Sequence, residues 1–294
     1  MNYIQRSIET RLLQAMKAYK AVLVTGPRQA GKSTLLKQLF PARKYVSLDD
    51  PFLEEQANQN GSTFMMLNQP PITIDEAQRA PMLFRYIKMR CDESEEKGLF
   101  CLSGSQQFRL MKNVSETLAG RVSILELPGL SLRELQGDPF ALPFLPTMEY
   151  LLERQKTVKA PKNLWQIIHR GSYPALQDPE LEWAAFYADY VRTYIERDVR
   201  ELSAVHDLDA FRRFMVAAAA RTGSVLNCSN IASEVGKDLA TIKNWLSILE
   251  ASGIVYLLEP YASTALKRAI RAPKLYFRDT GLVCYLTRWL TDET

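Results

Sequence analysis

The sequence has few of the residues that build metal centres. It contains four cysteines and two histidines in 294 residues. No pair among Cys91, Cys101, Cys228 and Cys284 has the short spacing of a zinc site. Scattered, unpaired cysteines are typical of a reducing compartment. The sequence therefore argues against a zinc site and favours the cytoplasm.

Long hydrophobic runs and a strong excess of one charge are also missing. No apolar stretch reaches membrane-spanning length, and the first residues carry no apolar signal core, so we expect a soluble protein with no membrane partner. The 37 basic and 33 acidic side chains leave a net charge of +4. This mildly basic balance permits a nucleic-acid partner without predicting one. The length is sufficient for more than one domain.

Short apolar strands alternate with helices in the first part of the chain. Strands are predicted at Ala21–Thr25, Lys44–Leu48, Pro71–Ile74, Leu99–Ser103 and Val122–Leu127, and helices over 7–19, 33–40, 51–58 and 82–91. Such alternation indicates a parallel sheet covered by helices on both faces. We therefore expect an α/β fold with three layers.

The first predicted strand runs into a loop, Gly26-Pro-Arg-Gln-Ala-Gly-Lys-Ser33, that fits the pattern G-x-x-x-x-G-K-[ST]. Its glycines let backbone N–H groups turn around phosphates where a side chain would clash. Lys32 is expected at the β- and γ-phosphates, and Ser33 on Mg²⁺. The following helix points its positive end at the anion.

A chance match to this pattern is expected in roughly 1% of chains of this length. The flanking strand and helix argue further against chance, so the sequence predicts a nucleotide site. The residues expected to bind the nucleotide in this loop are Gly26, Arg28, Gln29, Ala30, Gly31, Lys32, Ser33 and Thr34. For Arg28, the alternative prediction is that its side chain faces a partner or the solvent instead of the nucleotide.

Two carboxylates, Asp75 and Glu76, end the third predicted strand. A carboxylate beside the phosphate loop is suited to hold the Mg²⁺ shell, and the next one to act as general base on water. We therefore predict Ser33 and Asp75 as metal ligands and Glu76 as a catalytic residue. The alternative is an ordinary strand end capped by solvated acids.

The fourth strand ends in Ser103-Gly-Ser105-Gln106. Strand ends of a parallel sheet open onto the ligand crevice, so Ser103, Ser105 or Gln106 is a candidate sensor of the γ-phosphate, with a polar turn as the alternative. Arg121, before the fifth strand, is a candidate to stabilise charge on a γ-phosphate, in its own chain or in a neighbouring subunit. An ordinary surface arginine is the alternative.

The order of the motifs favours ATP. Because the strand Lys44–Leu48 comes between the phosphate-loop strand and the strand of Asp75, we expect those two not to be neighbours in the sheet. This is the arrangement of ATPases with a catalytic glutamate. No guanine-reading Asn/Thr-Lys-x-Asp motif occurs, which favours ATP over GTP.

The later part of the chain has a different pattern. A proline- and lysine-rich excursion and a helical segment occupy 137–205. Helices are predicted at Phe211–Arg221, at Asn227–Val235 with a cap at Ser229, and from Asp238 or Leu239 to Ala251. A strand is predicted to follow at Ile254–Glu259. Three helices and a strand are the pattern of a winged helix over 206–262.

Contact with DNA is a weaker expectation. Thr241, Lys243, Asn244 and Ser247 are candidates on the third helix, and basic residues follow at Lys267, Arg268, Arg271, Lys274 and Arg278. Lysine and arginine in this segment, 267–278, are suited to meet phosphates. Winged helices also bind proteins, and basic runs are often only solvated.

Several motifs together resemble a widespread prokaryotic family of AAA+-like ATPases with a C-terminal domain of unknown function. The matching segments are Gly26–Thr34, Asp75–Gln78, Ser103–Gln106, Leu118–Arg121, Tyr190–Asp198 and Pro273–Leu282. The resemblance implies an ATP-binding core, a winged helix and a C-terminal segment similar to restriction endonucleases. Since the chain ends soon after Leu282, we expect only the start of that last segment, over 263–294, after a core at 1–136.

The leading hypothesis is an ATPase that uses ATP and Mg²⁺ to drive or gate the winged-helix module, with DNA as a candidate partner. Lys32, Glu76 and Arg121 are its predicted catalytic residues. Ser105 and Asp75 complete the predicted nucleotide site, and a homo-oligomer is a further expectation. The alternative is a slow, nucleotide-gated switch that binds a protein partner.

Overall fold

The structure is a computed structural model that describes residues 3–105, 117–139, 142, 144–195, 207–261 and 271–293. Contacts divide the chain into two compact units, residues 1–161 and 162–294. The predicted division into four segments, at 136, 205 and 262, stays a prediction.

The first unit alternates strands with helices. Its strands are β1 (Ala21–Thr25), β2 (Lys44–Ser47), β3 (Ile72–Asp75), β4 (Phe100–Ser103) and β5 (Val122–Glu126). Its helices are α1 (Glu9–Ala18), α2 (Lys32–Leu39), α3 (Pro51–Gln59), α4 (Gly61–Leu67), α5 (Leu83–Glu93), α6 (Leu132–Leu135) and α7 (Met148–Gln155). The strand bounds agree with the predicted ones to within one residue. Helix α4, which Asn60 caps through Thr63 N, was not predicted.

The five strands form one parallel sheet in the order β2-β3-β4-β1-β5, which confirms the predicted α/β fold. As predicted, β1 and β3 are not neighbours. The strand between them in the sheet is β4, however, whereas β2, which lies between them in the sequence, is at the edge. The registers align Val24 with Ser103 and Ile74 with Leu102, so these strands end at one edge.

Alternation along β1 explains the two cores of this unit. Successive side chains of a strand point to opposite faces of the sheet. Ala21 and Leu23 pack with Phe64, Phe84 and other buried residues of α3–α5. Val22 and Val24 pack on the other face with buried residues of α1 and α2, among them Leu12, Met16, Leu35 and Leu36. Helices therefore cover both faces, as a parallel sheet requires.

The second unit is mainly helical. Its helices are α8 (Leu164–Arg170), α9 (Trp183–Tyr190), α10 (Leu208–Ala219), α11 (Cys228–Val235), α12 (Leu239–Ala251) and α13 (Thr280–Leu286), and its strands are β6 (Val255–Leu258) and β7 (Lys274–Phe277). None of the helices in the described part of the chain combines the length and the apolar character that crossing a bilayer needs.

Two further details of this unit concern the cap of α11 and the packing of residues 271–293. Helix α11 is capped by Asn227, whose side chain accepts from Ser229 N and Asn230 N, so the predicted cap at Ser229 was wrong. Strand β7 pairs antiparallel with β6, and buried residues of α13 join the same hydrophobic core. Residues 271–293 thus pack into this unit, and the predicted start of a C-terminal domain at 263–294 stays a prediction.

A buried aspartate joins distant parts of the second unit. Asp279 is 5% exposed and accepts hydrogen bonds from Tyr187 OH at 2.6 Å, Ser172 N at 2.7 Å, Ser172 Oγ at 2.7 Å and Leu282 N at 2.7 Å. A Cβ at Gly171 or Gly281 would lie 2.2 Å or 2.3 Å from Tyr187 OH. Pro273–Leu282 therefore has a structural role, because its aspartate satisfies the donors of three segments.

We expect Asp279→Ala to lower the free energy of unfolding of this unit by about 3 kcal/mol, since it leaves several buried donors without an acceptor. The measurement is urea unfolding of the full chain followed by tryptophan fluorescence. All four tryptophans, Trp165, Trp183, Trp245 and Trp289, lie in the second unit, so the signal reports on it.

The matched control is Asp238→Ala. Asp238 also caps a helix, α12, by accepting from Thr241 N, but this bond is exposed. Loss of an N-cap costs about 1 kcal/mol. Equal losses in the two variants would show that burial of the Asp279 contacts adds nothing.

Candidate functional site

The candidate site lies at the carboxyl edge of the parallel sheet. The phosphate loop leaves β1 at Gly26, Asp75 ends β3, and Ser103 ends β4. Because β4 lies between β3 and β1 and their registers are aligned, these residues meet at one edge. Ligands of open α/β sheets bind outside the carboxyl ends of the strands.

Gly26 is required by backbone packing. Its φ is +143°, and a Cβ at this position would lie 2.1 Å from the carbonyl oxygen of Leu127, in the segment that follows β5. The sequence argument assigned this glycine to the space that phosphates need. In the structure, the close approach of the Leu127 backbone is sufficient to exclude a side chain.

The rest of the loop turns sharply into α2. Gln29 has a left-handed φ of 62° and is exposed, and Gly31 has a φ of 91° directly before α2 begins at Lys32. Ala30 is buried, and Arg28 is half-buried. Thr34 is exposed in the first turn of α2. This places the positive end of α2 at the loop, which suits an anion.

Lys32 is buried and closes the loop. Its Nζ donates hydrogen bonds to the carbonyl oxygens of Gly26 and Pro27, each at 2.9 Å, and the residue is 6% exposed. Burial lowers the pKa of Lys32 to about 8, although Glu76 and Asp75 act in the opposite direction. A further negative group, such as a phosphate, would therefore favour the charged ammonium.

Asp75 accepts three hydroxyl hydrogen bonds. Ser33 Oγ donates to its Oδ2 at 2.7 Å, Tyr45 OH donates to the same oxygen, and Ser103 Oγ donates to Oδ1. Burial raises the pKa of Asp75, but the hydrogen bonds from Ser103, Tyr45 and Ser33 outweigh it, so the net shift is downward. The structure thus brings together Ser33 and Asp75, the two residues predicted to bind a metal.

Glu76 has an unusual backbone conformation. Its φ is 55° and its ψ is 41°, in the left-handed region that non-glycine residues adopt at a cost of roughly 1–2 kcal/mol. Its carboxylate accepts a hydrogen bond from Gln78 Nε2 and one from Ser105 Oγ at 3.3 Å. Strain of this kind clusters at functional sites. Ser105, one of the predicted phosphate sensors, thus donates its hydroxyl hydrogen bond to the carboxylate of Glu76.

Sequence reasoning missed Tyr45 and gave Ser103 a different role. Tyr45 lies on β2, and its hydroxyl donates a hydrogen bond to Asp75 on the neighbouring strand β3. Ser103 was a candidate phosphate sensor, but its buried hydroxyl donates to Asp75. Gln106, the third sensor candidate, lies outside the described residues. Since Ser47 pairs with Asp75 in the register, Tyr45 is two residues away along β2, on the same face.

Arg121 is not brought to the phosphate loop of its own chain. Its carbonyl accepts from Ala21 N, at the amino end of β1, roughly 13 Å along the strand from the loop. Its Nε lies 2.5 Å from Asp92 Oδ1, and Nη2 lies 3.2 Å from Oδ2. Action on its own γ-phosphate is therefore not supported, whereas action in a neighbouring subunit stays a prediction.

The oxygen atoms of Ser33 and Asp75 are suitable ligands for magnesium. Mg²⁺ prefers oxygen ligands and is usually held by one or two carboxylates together with substrate phosphates and water. One hydroxyl and one carboxylate 2.7 Å apart supply this kind of partial shell. Within the described residues, no cluster of three or more His, Cys, Asp or Glu side chains is suited to hold a metal by protein ligands alone.

Two family models match the chain. Residues 18–136 match one described as an AAA domain, and residues 161–293 match one described as a domain of unknown function, DUF8612. The first match contains the whole sheet and the candidate site.

Relatives and a solved structure are also similar to this chain. It is 30% identical over 284 residues to the uncharacterized proteins Mb2031c of Mycobacterium bovis and Rv2008c of Mycobacterium tuberculosis. The match covers 95% of this chain but 58% of each relative. The Walker-type ATPase PABY2304 of Pyrococcus abyssi is 14% identical with a TM-score of 0.53, covering 97% of this chain and 96% of that one.

The first unit has the fold of a P-loop ATPase, and residues 18–136 within it are similar to an AAA domain. This conclusion rests on the family match over 18–136, on the strand order and on the shared fold with a Walker-type ATPase. The winged helix and the likeness of the last segment to restriction endonucleases stay predictions.

Proposed function

We propose that the chain binds ATP and hydrolyses it in a magnesium-dependent reaction. The observation that carries this proposal is the convergence of Lys32, Ser33, Asp75 and Glu76 at the carboxyl edge of one sheet. The hydrogen bond between Ser33 and Asp75 joins the loop to the acidic strand end, as a shared metal site requires.

In this proposal the phosphate loop and Lys32 bind the β- and γ-phosphates. Lys32 Nζ exchanges its contacts with Gly26 and Pro27 for phosphate oxygens, which stabilise its charged form. Ser33 and Asp75 hold Mg²⁺, which supplies charge neutralisation at the phosphates. The proposed nucleotide is ATP rather than GTP because the sequence has no guanine-reading motif.

Glu76 is the general base of the proposed hydrolysis. It orients a water molecule toward the γ-phosphorus and accepts its proton as the new P–O bond forms. The bond from the γ-phosphorus to the bridging oxygen breaks, and ADP and phosphate are released. The left-handed backbone and the contacts to Gln78 and Ser105 hold the carboxylate in place before the reaction.

We expect Glu76→Gln to lower steady-state ATP turnover at least about 100-fold, since it removes the base but keeps the shape of the side chain. Its affinity for ATP should stay within a few-fold of wild type. Lys32→Ala should lose both affinity and turnover. Phosphate release and calorimetric titration with ATP and Mg²⁺ measure the two quantities.

Glu55→Gln is the matched control, because it makes the same change at an exposed acid on α3 that bonds to Gln59. It should turn over ATP as the wild type does. Wild-type turnover in both Glu76→Gln and Lys32→Ala would disprove the proposed mechanism.

We further propose that Arg121 acts in the site of a neighbouring copy within a homo-oligomer. Its position at the opposite end of β5 from the loop, 34% exposed, leaves it near the surface. An arginine supplied by a neighbour stabilises transition-state charge on the γ-phosphate.

We expect Arg121→Ala to lower turnover by roughly 1,000-fold, as loss of an arginine finger does, and a one-to-one mixture with Glu76→Gln to recover activity. In the mixture, the Arg121→Ala chain supplies a site with an intact Glu76, and the Glu76→Gln chain supplies the Arg121 that acts in it. Arg90→Ala, which removes a half-buried arginine paired with Glu93, is the control. Size measurement in the presence of a slowly hydrolysed ATP analogue shows whether the two variants assemble in the mixture. If they assemble and activity does not recover, action between subunits is contradicted.

The second unit supports a winged helix as the moving module. Helices α10, α11 and α12 follow one another and precede the antiparallel pair β6–β7, which is the order of that motif. Lys243, Asn244 and Ser247 are exposed on α12. Thr241 is half-buried and donates to Asp238, so it serves as part of the helix cap.

We propose that α12 and the basic residues near β7 contact DNA. Arg271 and Lys274 are exposed there, whereas Lys267 and Arg268 lie outside the described residues. The alternative is a slow, nucleotide-gated switch in which the same module binds a protein partner.

We expect affinity for a DNA duplex to fall at least about tenfold between 50 and 200 mM salt, because phosphate contacts release counterions. Lys243→Ala should reduce the salt slope by about 1, whereas Lys156→Ala, an exposed lysine on the first unit paired with Glu153, should not. No binding at 50 mM salt, with or without ATP, contradicts the DNA proposal and favours the protein partner.

A further inference from the structure

A single buried arginine near the amino end of the chain holds the phosphate loop. Arg6 is 4% exposed. Its Nη1 donates to the carbonyl oxygen of Ala30 at 2.9 Å, inside the loop, and its Nη2 donates to the carbonyl oxygens of Pro128 at 2.7 Å and Gly129 at 3.0 Å. One guanidinium therefore joins the loop after β1 to the segment after β5.

The charge of Arg6 is balanced by Glu134. The Nε of Arg6 lies 3.3 Å from Glu134 Oε1, and both side chains are buried. Glu134 is itself fixed, because it accepts from Ser7 N at 2.6 Å and from Ser131 N at 2.7 Å and belongs to the capping box of α6. Burial of an arginine is tolerated when its charge is paired, and Glu134 supplies that charge, while the two terminal nitrogens of Arg6 donate to the three carbonyls; Nε, although 3.3 Å from Glu134, makes no hydrogen bond.

The bond to Ala30 has a consequence for the next residue. The carbonyl of Ala30 and the N–H of Gly31 belong to one trans peptide, so they point in opposite directions. Because Arg6 binds the carbonyl, it turns the N–H of Gly31 away from itself. Gly31 precedes Lys32 with a left-handed φ of 91°, at the position where backbone N–H groups surround a phosphate.

A second contact acts on the same side of the loop. The close approach of Gly26 to Leu127 fixes the first residue of the loop against the segment after β5, and Leu127 N donates to Thr25 O at 2.8 Å. Arg6 fixes the fifth residue, Ala30, against residues 128 and 129 of that segment. The first and the fifth residues of the loop are thus both attached to the segment after β5, and Arg6 supplies the attachment nearer to Lys32.

We propose that Arg6 is a positioning residue of the nucleotide site, which orients the Ala30–Gly31 peptide for the phosphates without touching the nucleotide. This inference rests on the proposed function, because it concerns the affinity of the same loop for ATP. It assigns to the segment before α1 a role in nucleotide binding. Since Arg6 contacts no reacting atom, its effect falls on binding and KM rather than on kcat.

The test is calorimetric titration of the full chain with ADP and with ATP in the presence of Mg²⁺, together with steady-state turnover and the unfolding midpoint without nucleotide. We expect Arg6→Met to raise the Kd for both nucleotides and the KM for ATP at least about tenfold, a change of 1.4 kcal/mol. The kcat at saturating ATP should stay within about threefold, because Lys32 and Glu76 are unchanged.

Arg133→Met is the matched control. Arg133 is also buried, at 9% exposed, lies on α6 next to Glu134 and pairs with Asp138 at 2.5 Å. Its loss should lower the unfolding midpoint but leave the Kd near the wild-type value. An equal rise of the Kd in both variants would mean that Arg6 acts only through general stability, and would overturn the proposal.

Arg6→Lys keeps the charge opposite Glu134 but replaces the planar fork, whose two terminal nitrogens bind Ala30 on one side and residues 128 and 129 on the other, with one compact ammonium that does not reproduce this geometry. It provides the same test if Arg6→Met does not fold, and the Kd is again expected to rise. An unchanged Kd in a folded Arg6 variant overturns the proposal while the wild type still binds. Absence of binding by the wild type would instead refute the proposed function.

Discussion

The hydrogen bond from Ser33 to Asp75 depends on the order of the strands, and the rest of the site depends on this bond. Ser33 lies in the first turn of α2, just after the loop that follows β1, and Asp75 ends β3, which is not a neighbour of β1 because β4 lies between them. The parallel strands with aligned ends bring the two side chains within 2.7 Å of each other. Ser103, at the end of the middle strand, donates to the other oxygen of Asp75, so the segment after β1 and the end of β4 contact the same carboxylate.

Much of the first unit was predictable because its signals are local. Each strand is a short apolar run, and the loop after β1 has a spacing that phosphate chemistry imposes. The sequence therefore predicted the α/β fold, and the structure places Lys32, Ser33, Asp75 and Glu76 together as the predicted roles require. Helix α4 was missed because it is only seven residues long and follows α3 directly.

The contacts that were missed are long-range. Arg6 meets Gly129, which is 123 residues away, and Tyr45 meets Asp75 through the pairing of β2 with β3. Nothing in the residues around Arg6 or Tyr45 distinguishes them from an ordinary arginine or strand tyrosine. Arg121 shows the reverse case: its motif suggested a phosphate contact, but the direction of β5 places it at the other end of the sheet. Strand direction and register, which decide such contacts, follow from packing of the whole unit.

Gly26 has a consequence for how this motif changes over evolutionary time. A side chain there would collide with the Leu127 backbone whether or not a nucleotide is bound, so folding alone prevents its replacement. Glu76 has no such backbone collision to avoid and is held in a strained conformation, whereas Lys32 closes the loop through two hydrogen bonds. Under the proposed function, a descendant that lost ATP hydrolysis would be free to change Glu76 but would keep the glycine. The first glycine of the motif therefore reflects a requirement of the fold, whereas the glutamate reflects the proposed chemistry.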